Sequence, residues 1–122
     1  MPITINQLVI GAARGGDFHL LQERVQAGGD VNYVDPRHGS AIACAIRNCD
    51  LPVLDWLIAH GVDVNQEQSP SVGPLEFALH LHADPVIVYR LVCAGAKLKR
   101  KTRPYYKERL EQCIKQVTSK NP

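Results

Sequence analysis

Several features of catalytic and metal-binding chains are missing from this sequence. Its four cysteines include no Cys-x-x-Cys pair, which argues against both a zinc site and a disulfide framework. Cys44 and Cys49 lie five positions apart, on a predicted helix and at its exit, whereas Cys93 and Cys113 are isolated. We expect the cysteines to be small, reduced residues that help to fill the core.

The short motifs that carry common chemistries are absent as well. The sequence has no Gly-x-x-x-x-Gly-Lys loop for phosphate, no Gly-x-Ser-x-Gly turn for a nucleophilic serine and no paired-carboxylate motif. His80 and His82 are two positions apart, so on a helix they point in different directions and make a poor metal pair. His60 is better explained by its favourable interaction with a helix C-terminus. We therefore expect no enzymatic activity and no cofactor or metal.

Long apolar runs and a strong charge imbalance are lacking too. No segment approaches the ~18 uninterrupted apolar residues that would cross a bilayer. The first residues carry neither the basic region nor the apolar run of a secretory signal. A net charge of +2 is too small to attract nucleic acid to the whole domain. These absences predict a cytoplasmic protein that does not associate with membranes.

A repeated phrase dominates what is present. Its two clear copies are Gly28-Gly29-Asp30-Val31-Asn32 and Gly61-Val62-Asp63-Val64-Asn65, and a degraded copy, Gly95-Ala96-Lys97-Leu98-Lys99, follows at nearly the same spacing. Each phrase follows apolar residues at helical spacing. These residues are Leu20, Leu21 and Val25, then Val53, Leu54, Leu57 and Ile58, then Ile87, Val88, Leu91 and Val92. A period of about 33 residues with two helices per repeat is typical of a helical repeat array.

Residues with distinct backbone preferences indicate where the helices begin and end. Glycine after a helix adopts the left-handed conformation that ends it, which predicts such positions at Gly28, Gly61 and Gly95. Aspartate accepts hydrogen bonds from the first backbone N–H groups of a helix, which predicts N-caps at Asp17, Asp50 and Asp84. The first helix of each repeat is expected to begin near Asn6, Ser40 and Gly73.

The chain resembles the ankyrin repeat family over about residues 6–99. In the middle repeat, Ser40-Ala41-Ile42-Ala43 stands where the family has Thr-Pro-Leu-His, and the third repeat has Gly73-Pro74-Leu75-Glu76 there. The first repeat lacks the tetrapeptide but keeps Ala12-Ala13-Arg14 and Gly16-Asp17. The resemblance implies an all-α solenoid in a single domain, residues 1–122. Its repeats would span residues 3–34, 35–68 and 69–99, with a C-terminal cap over residues 100–118.

A basic run precedes the predicted cap. The run comprises Lys97, Lys99, Arg100, Lys101 and Arg103. It is most simply a solvated loop, and the alternatives are a contact with an acidic protein patch or, less favoured, with nucleic acid. The cap itself is a helix with one apolar face: Tyr106, Leu110, Cys113, Ile114 and Val117. Its opposite face is charged, with Lys107, Glu108, Glu111 and Lys115. Such a helix would cover the core of the last repeat.

The resemblance also implies where a partner binds. In ankyrin-like arrays the partner usually lies across the loop tips and the exposed side of the inner helices, the concave face. Here that face would comprise Arg14, Tyr33, Val34, Pro36, Arg37, His38, Arg47, Asn48, Gln66, Glu67, Pro70, Ser71, His80, Leu81 and His82. Arginine and tyrosine are favoured at interfaces, although each single residue has an equally simple explanation as ordinary surface. Trp56 is expected to be partly buried packing.

Because the array makes up nearly all of the chain, it would act by occupying another protein's surface. We expect a monomeric, non-enzymatic binding protein that masks or inhibits one partner, such as a toxin-neutralising or kinase-inhibiting ankyrin protein. An adaptor that bridges two proteins is the alternative within this class. Nucleic-acid binding through the run from Lys97 to Arg103 is the less favoured alternative outside it.

Overall fold

The computed structural model describes residues 2–67, 72–99 and 102–119. The helices of the described chain are α1 (Ile5–Gly15), α2 (Phe18–Gln26), α3 (Ala41–Arg47), α4 (Leu51–Ala59), α5 (Pro74–His80), α6 (Pro85–Cys93) and α7 (Pro104–Thr118). Two short strands, β1 (Val34–Asp35) and β2 (Gly39–Ser40), form an antiparallel hairpin that pairs Val34 with Ser40. Helices hold 60% of the described residues, which is compatible with the predicted all-α class.

The chain forms two compact units. The N-terminal unit (Met1–Asp63) contains α1 to α4 and the hairpin, and the C-terminal unit (Val64–Pro122) contains α5 to α7. In the N-terminal unit, α1 packs against α2 and α3, and α3 packs against α4. In the C-terminal unit, α6 packs against α5 and α7. The single-domain organisation and the repeat boundaries given above stay predictions.

The predicted helix starts are confirmed by their capping hydrogen bonds. Asp17 Oδ1 accepts from Leu20 N at 3.0 Å, and Asp50 and Asp84 cap α4 and α6 in the same way. Ser40 caps α3, and Pro74 occupies the first turn of α5 after Gly73. The first helix begins slightly before the predicted Asn6, because Thr4 and Gln7 form a reciprocal capping box.

The helix ends show a repeat of backbone geometry that the sequence only partly displays. The predicted left-handed residues after α2, α4 and α6 are confirmed at Gly28, Gly61 and Gly95. A second set of left-handed residues follows α1, α3 and α5, at Gly16, Cys49 and His82, with φ of 69°, 52° and 54°. These residues recur with the period of the repeated phrase. The next N–H in each case bonds back to an alanine carbonyl, at Ala12, Ala45 and Ala78. All three helix pairs therefore share one local geometry.

Asparagine side chains connect successive loops within each unit. Asn32 Oδ1 accepts from Asp63 N at 2.7 Å in the N-terminal unit. Asn65 Oδ1 accepts from Lys97 N at 2.8 Å in the C-terminal unit, and Asn65 Nδ2 donates to Gly95 O. The asparagine that closes each of the two clear copies thus satisfies a backbone N–H of the following copy, which explains why these two phrases end on this residue.

Each unit has a core of aliphatic side chains. Fully buried residues of the N-terminal unit include Ile10, Leu21, Ile42, Ile46, Leu54 and Leu57, and those of the C-terminal unit include Leu75, Leu79, Val88 and Leu91. Trp56 is half-buried, as predicted, with its ring edge-on to Phe18 at 6.2 Å and stacked on His60 at 4.1 Å. His60 also contacts the Trp56 carbonyl through Nδ1 at 2.8 Å, so its ring is used within α4.

The C-terminal helix has the two faces that its sequence predicts. Cys113 is 3% exposed, and the other residues of the predicted apolar face are half-buried. The four charged residues of the opposite face are all exposed. Because α7 packs against α6 and α5, it covers the core of the C-terminal unit, as a capping element should.

A buried carboxylate holds the segment that leads into α7. Glu76, on α5, is 4% exposed. Its Oε1 accepts from Gly73 N at 3.1 Å, and its Oε2 accepts from Lys99 N at 2.5 Å and from Thr102 Oγ1 at 3.0 Å. Three donors from two segments compensate the loss of hydration that burial of this charge entails.

Candidate protein-binding surface

A groove of about 610 Å³ lies between α1 and the hairpin of the N-terminal unit. We call it the N-terminal groove, and its lining residues are Ile3, Gln7, Leu8, Ile10, Gly11, Arg14, Asp35, Pro36, Arg37 and His38. It brings together Arg14, Pro36, Arg37 and His38, all of which the sequence placed on the partner-binding face. Residues far apart in the sequence meet here because α1 packs against α3, and the hairpin directly precedes α3.

Asp35 shapes the hairpin side of the groove. It is 9% exposed, and its Oδ1 accepts from Arg37 N at 2.8 Å and from His38 N at 3.0 Å. These bonds fold residues 35–38 into a tight turn, as aspartate commonly does with the N–H groups that follow it. The turn presents the side chain of Arg37 to solvent.

Arg14 forms the opposite side of the groove from the last turn of α1. Its Nη1 lies 3.4 Å from Nε2 of His38, so a ring nitrogen of His38 accepts from the guanidinium. This long hydrogen bond joins α1 to the hairpin tip across the groove.

Arginines contribute positive charge on both sides of the N-terminal groove. Burial raises the pKa of the Cys44 thiol, while the charges of Arg47 and Arg14 partly oppose that rise and the charge of Asp35 adds to it. In the part of the chain that the structure describes, neither Arg14 nor Arg37 forms an ion pair with a carboxylate. The groove therefore has a positive rim.

The other predicted residues of the N-terminal unit lie outside the groove lining. Tyr33 and Val34 are half-buried, and Arg47 is exposed at the end of α3. Asn48 is exposed, but its Nδ2 donates to Ala13 O at 3.2 Å and to Arg14 O at 3.1 Å. It thereby satisfies carbonyls at the end of α1, which is a structural use of this side chain.

In the C-terminal unit the predicted residues fall into two groups. His80, Leu81 and His82 are all exposed where α5 ends. Glu67 is exposed with its Oε1 3.8 Å from Lys99 Nζ, and Gln66 is half-buried. Pro70 and Ser71 lie outside the described residues. Among the described residues of this unit, the fold therefore joins no predicted binding residues from distant parts of the chain, since these three are neighbours in the sequence.

A second cavity, of about 450 Å³, lies beside His80. We call it the C-terminal cavity, and it is lined by Val72, Glu76, Phe77, His80, Thr102, Arg103 and Tyr106. Nδ1 of His80 lies 3.2 Å from the hydroxyl of Tyr106, which connects α5 to α7. Of the residues predicted to bind a partner, only His80 is among the described residues that line this cavity.

The basic run is only partly a solvated loop. Lys99 is half-buried, and its Nζ donates to Asn65 O at 3.0 Å while its N–H bonds to Glu76. The expectation of free solvation is therefore wrong for Lys99, because its ammonium satisfies a backbone carbonyl. Lys97 and Arg103 are exposed, and Arg100 and Lys101 lie outside the described residues.

The cysteine prediction is correct for two residues and wrong for two. Cys44 and Cys113 are buried, and burial raises the pKa of both thiols. Cys49 and Cys93 are exposed. Cys49 follows α3 and adopts the left-handed backbone conformation. The thiol of Cys93 hydrogen-bonds to Tyr89, and this raises the pKa of the Tyr89 phenol.

Among the described residues, no cluster of three or more His, Cys, Asp or Glu side chains is placed to hold a metal ion. None of the helices in residues 2–67, 72–99 and 102–119 has the length and apolar character required to span a bilayer.

Sequence reasoning missed the α1 side of the N-terminal groove. Gln7 and Gly11 were not assigned to the surface, although with Arg14 they recur every three or four residues along one side of α1, and Ile3, just before the helix, was missed as well. That spacing was the available signal. Phe77, Thr102 and Tyr106 of the C-terminal cavity had no such signal, because they come from segments that meet only in the folded unit.

Comparison with known proteins gives two matches of low identity. The chain is 33% identical over 76 residues to Protein VAPYRIN-LIKE of Medicago truncatula, a match covering 62% of the chain and 15% of that protein. It is 29% identical over 106 residues to RelA-associated inhibitor of Mus musculus, covering 87% of the chain and 13% of that protein. The chain thus spans less than a sixth of the length of either relative. No protein-family model matches the chain. The two matches point to ankyrin-like repeats in this chain.

Proposed function

We propose that this chain is a non-enzymatic protein-interaction module of ankyrin-like repeats, arranged as a solenoid, that binds one partner protein and masks or inhibits it. The observation that carries the proposal is the N-terminal groove, where arginines and apolar side chains from α1 and the hairpin share one accessible surface. Interfaces are enriched in arginine and need apolar area that can be buried. The groove supplies both.

The comparisons support the same class of function. One relative is named as an inhibitor, which favours a role in which binding blocks a partner. The match covers 87% of this chain, so the resemblance extends through both of its compact units. Masking is favoured over bridging because one relative is named as an inhibitor, and bridging of two proteins is the alternative.

A direct test begins with the partner itself. The tagged chain captures binding proteins, which are identified, purified and titrated against the wild-type chain by calorimetry. We expect simultaneous Arg14→Glu and Arg37→Glu substitutions, on the two sides of the N-terminal groove, to weaken binding by ~30-fold or more, since central interface residues contribute ~2 kcal/mol or more. The matched control reverses the exposed Lys107 and Lys115 of α7, which changes the net charge equally. Equal loss in both variants would reject a specific surface in favour of general charge.

The masking role is tested separately from binding. Once the partner is known, its own activity is measured with and without saturating chain. A fully active partner in the complex would exclude inhibition and favour the adaptor alternative.

Nucleic-acid binding is tested on the exposed part of the basic run. Lys97→Gln and Arg103→Gln remove charge without disturbing Lys99, whose ammonium bonds to Asn65 O. We expect this double variant to leave partner affinity within about threefold, with a changed association rate. Affinity for generic DNA or RNA that falls steeply with added salt, and that depends on these two residues, would contradict the proposal.

A further inference from the structure

The lining of the N-terminal groove restricts the chemistry of whatever occupies it. Ile3 is 69% exposed at its edge, and Leu8 is half-buried along it. Apolar surface left in water is unfavourable by roughly 25 cal/mol per Å², so contact of an apolar side chain with these residues would be favourable. A volume of about 610 Å³ lies within the range of ~300–1,000 Å³ typical of small-molecule sites, so the groove has room for individual side chains of a ligand.

The charged residues of the groove lining also restrict which ligands can bind. Arg14 and Arg37 approach the groove from two elements, and in the described part of the chain neither is neutralised by a carboxylate. Asp35 is the acidic residue among the described lining residues, and its Oδ1 is occupied by two backbone N–H groups. Guanidinium groups bind carboxylates in a planar, bidentate geometry that ammonium groups cannot reproduce.

Arg14 is also held in place. Its hydrogen bond to His38 keeps the guanidinium at the groove edge before any ligand arrives. Because the Arg14 side chain then loses less conformational entropy on binding, a carboxylate at this position binds more tightly.

We propose that the N-terminal groove binds an acidic peptide segment, with carboxylates on Arg14 and Arg37 and an apolar side chain against Ile3 and Leu8. This assignment rests on the proposed function and specifies the class of partner surface. The complementarity is between a positive, apolar groove and a segment in which acidic and apolar residues alternate.

The probe is a short fluorescein-labelled peptide that alternates glutamate with leucine, titrated against the full chain by fluorescence anisotropy. Three matched peptides replace glutamate by glutamine, glutamate by lysine, or leucine by serine. We expect the glutamate–leucine peptide to bind at least ~10-fold more tightly than each of them, and to weaken as salt is added. Equal affinity of the glutamine peptide would overturn the assignment of acidic specificity.

Variants locate the binding. Arg14→Gln with Arg37→Gln should lower peptide affinity by ~10-fold or more, whereas Lys107→Gln with Lys115→Gln should change it less than about twofold. Gly11→Leu adds a bulky side chain at a lining position without altering charge, and Gly11→Ala is its control. A Cβ atom there makes only an ordinary contact with the Arg24 guanidinium, at 3.7 Å, and both residues improve helix propensity; thermal melts of the two variants check that the fold is retained. Peptide binding unaffected by both Gly11→Leu and the arginine pair would place the site elsewhere.

Two further experiments are included. One distinguishes failure of this inference from failure of the proposed function, and the other distinguishes an acidic peptide from another polyanion as the ligand. If the purified partner binds the chain but the glutamate–leucine peptide neither binds nor competes, the acidic-segment assignment fails and the proposed function stands. If single-stranded RNA of matched charge displaces the peptide at equal or lower concentration, the groove binds phosphates and the assignment is wrong. Displacement by the partner protein, together with failure of RNA to compete, is the expected outcome.

Discussion

At the scale of single residues, Glu76 is a buried hydrogen-bond acceptor that connects two segments of the C-terminal unit. It accepts from two backbone N–H groups and one hydroxyl while 4% exposed. The sequence presents it only as the last residue of an altered tetrapeptide, since its partners Lys99 and Thr102 come from a distant part of the chain. Its role is to attach the segment before α7 to the start of α5.

Removing the Glu76 carboxylate should destabilise the chain clearly. Glu76→Ala leaves three donors without their acceptor, so we expect a loss of about 3 kcal/mol in the free energy of unfolding, measured by urea denaturation. Glu76→Gln retains one carbonyl oxygen and should lose less. The control is Glu23→Gln, because Glu23 pairs with His19 on an exposed surface and should contribute less than ~0.5 kcal/mol. Similar effects of Glu76→Ala and Glu23→Gln would exclude the anchoring role.

At the scale of elements, the ends of α1, α3 and α5 require the same left-handed conformation but use different residues. Glycine at position 16 adopts it without steric penalty, whereas Cys49 and His82 adopt it with a Cβ atom. The left-handed conformation therefore recurs at all three helix ends, although the residue type does not.

Exchanging the residue types at these ends should change stability in opposite directions. Cys49→Gly removes the strain of a side chain at φ 52° and should raise the free energy of unfolding by up to ~1 kcal/mol. Gly16→Ala introduces that strain at φ 69°, and should lower it by about 1 kcal/mol, since a Cβ there makes only an ordinary 3.8 Å contact with Asp50. Thermal melts of both variants check the pair. A destabilising Cys49→Gly would show that the thiol, and not the backbone, determines this position.

The last helix makes a second prediction at this scale. Deleting the chain after Arg103 uncovers α5 and α6, so we expect loss of cooperative melting and increased aggregation. Cys113→Asp tests the same contact without truncation, because a carboxylate at a residue 3% exposed should lower stability by ~3 kcal/mol or more. Lys107→Ala on the exposed face is the matched control. A truncated chain with wild-type melting temperature would show that α7 does not cap the unit.

At the scale of the whole molecule, cooperativity decides whether the chain behaves as the predicted single domain. Repeat arrays of minimal length depend on contacts between neighbours, so we expect one unfolding transition. Trp56 fluorescence reports on the N-terminal unit alone, because Trp56 is the only tryptophan of the chain. Hydrogen exchange of α5 and α6 amides reports on the C-terminal unit. Coincident urea midpoints are expected, and separate midpoints would mean that the two compact units unfold independently.

Features that depend on interactions between sequence neighbours were predictable from the sequence, whereas contacts between distant residues were not. Helix caps at Asp17, Asp50 and Asp84 and left-handed ends at Gly28, Gly61 and Gly95 were predictable, because these residues act on their own backbone neighbourhood. Arg14, Pro36, Arg37 and His38 were assigned to the binding surface by resemblance, and the structure places them in one groove. Asn48 and Lys99 were assigned to solvent-facing roles, whereas their polar groups bond to backbone carbonyls.

The sequence by itself determined the repeat period, the helix boundaries and the two faces of α7, because these follow from local dihedral preferences and apolar spacing. Only the tertiary structure decided that α1 and the hairpin enclose a positive groove, and that a buried Glu76 secures the segment before α7. Both depend on side chains brought together from distant positions in the sequence. Such contacts arise from the packing of whole elements, which no local pattern encodes.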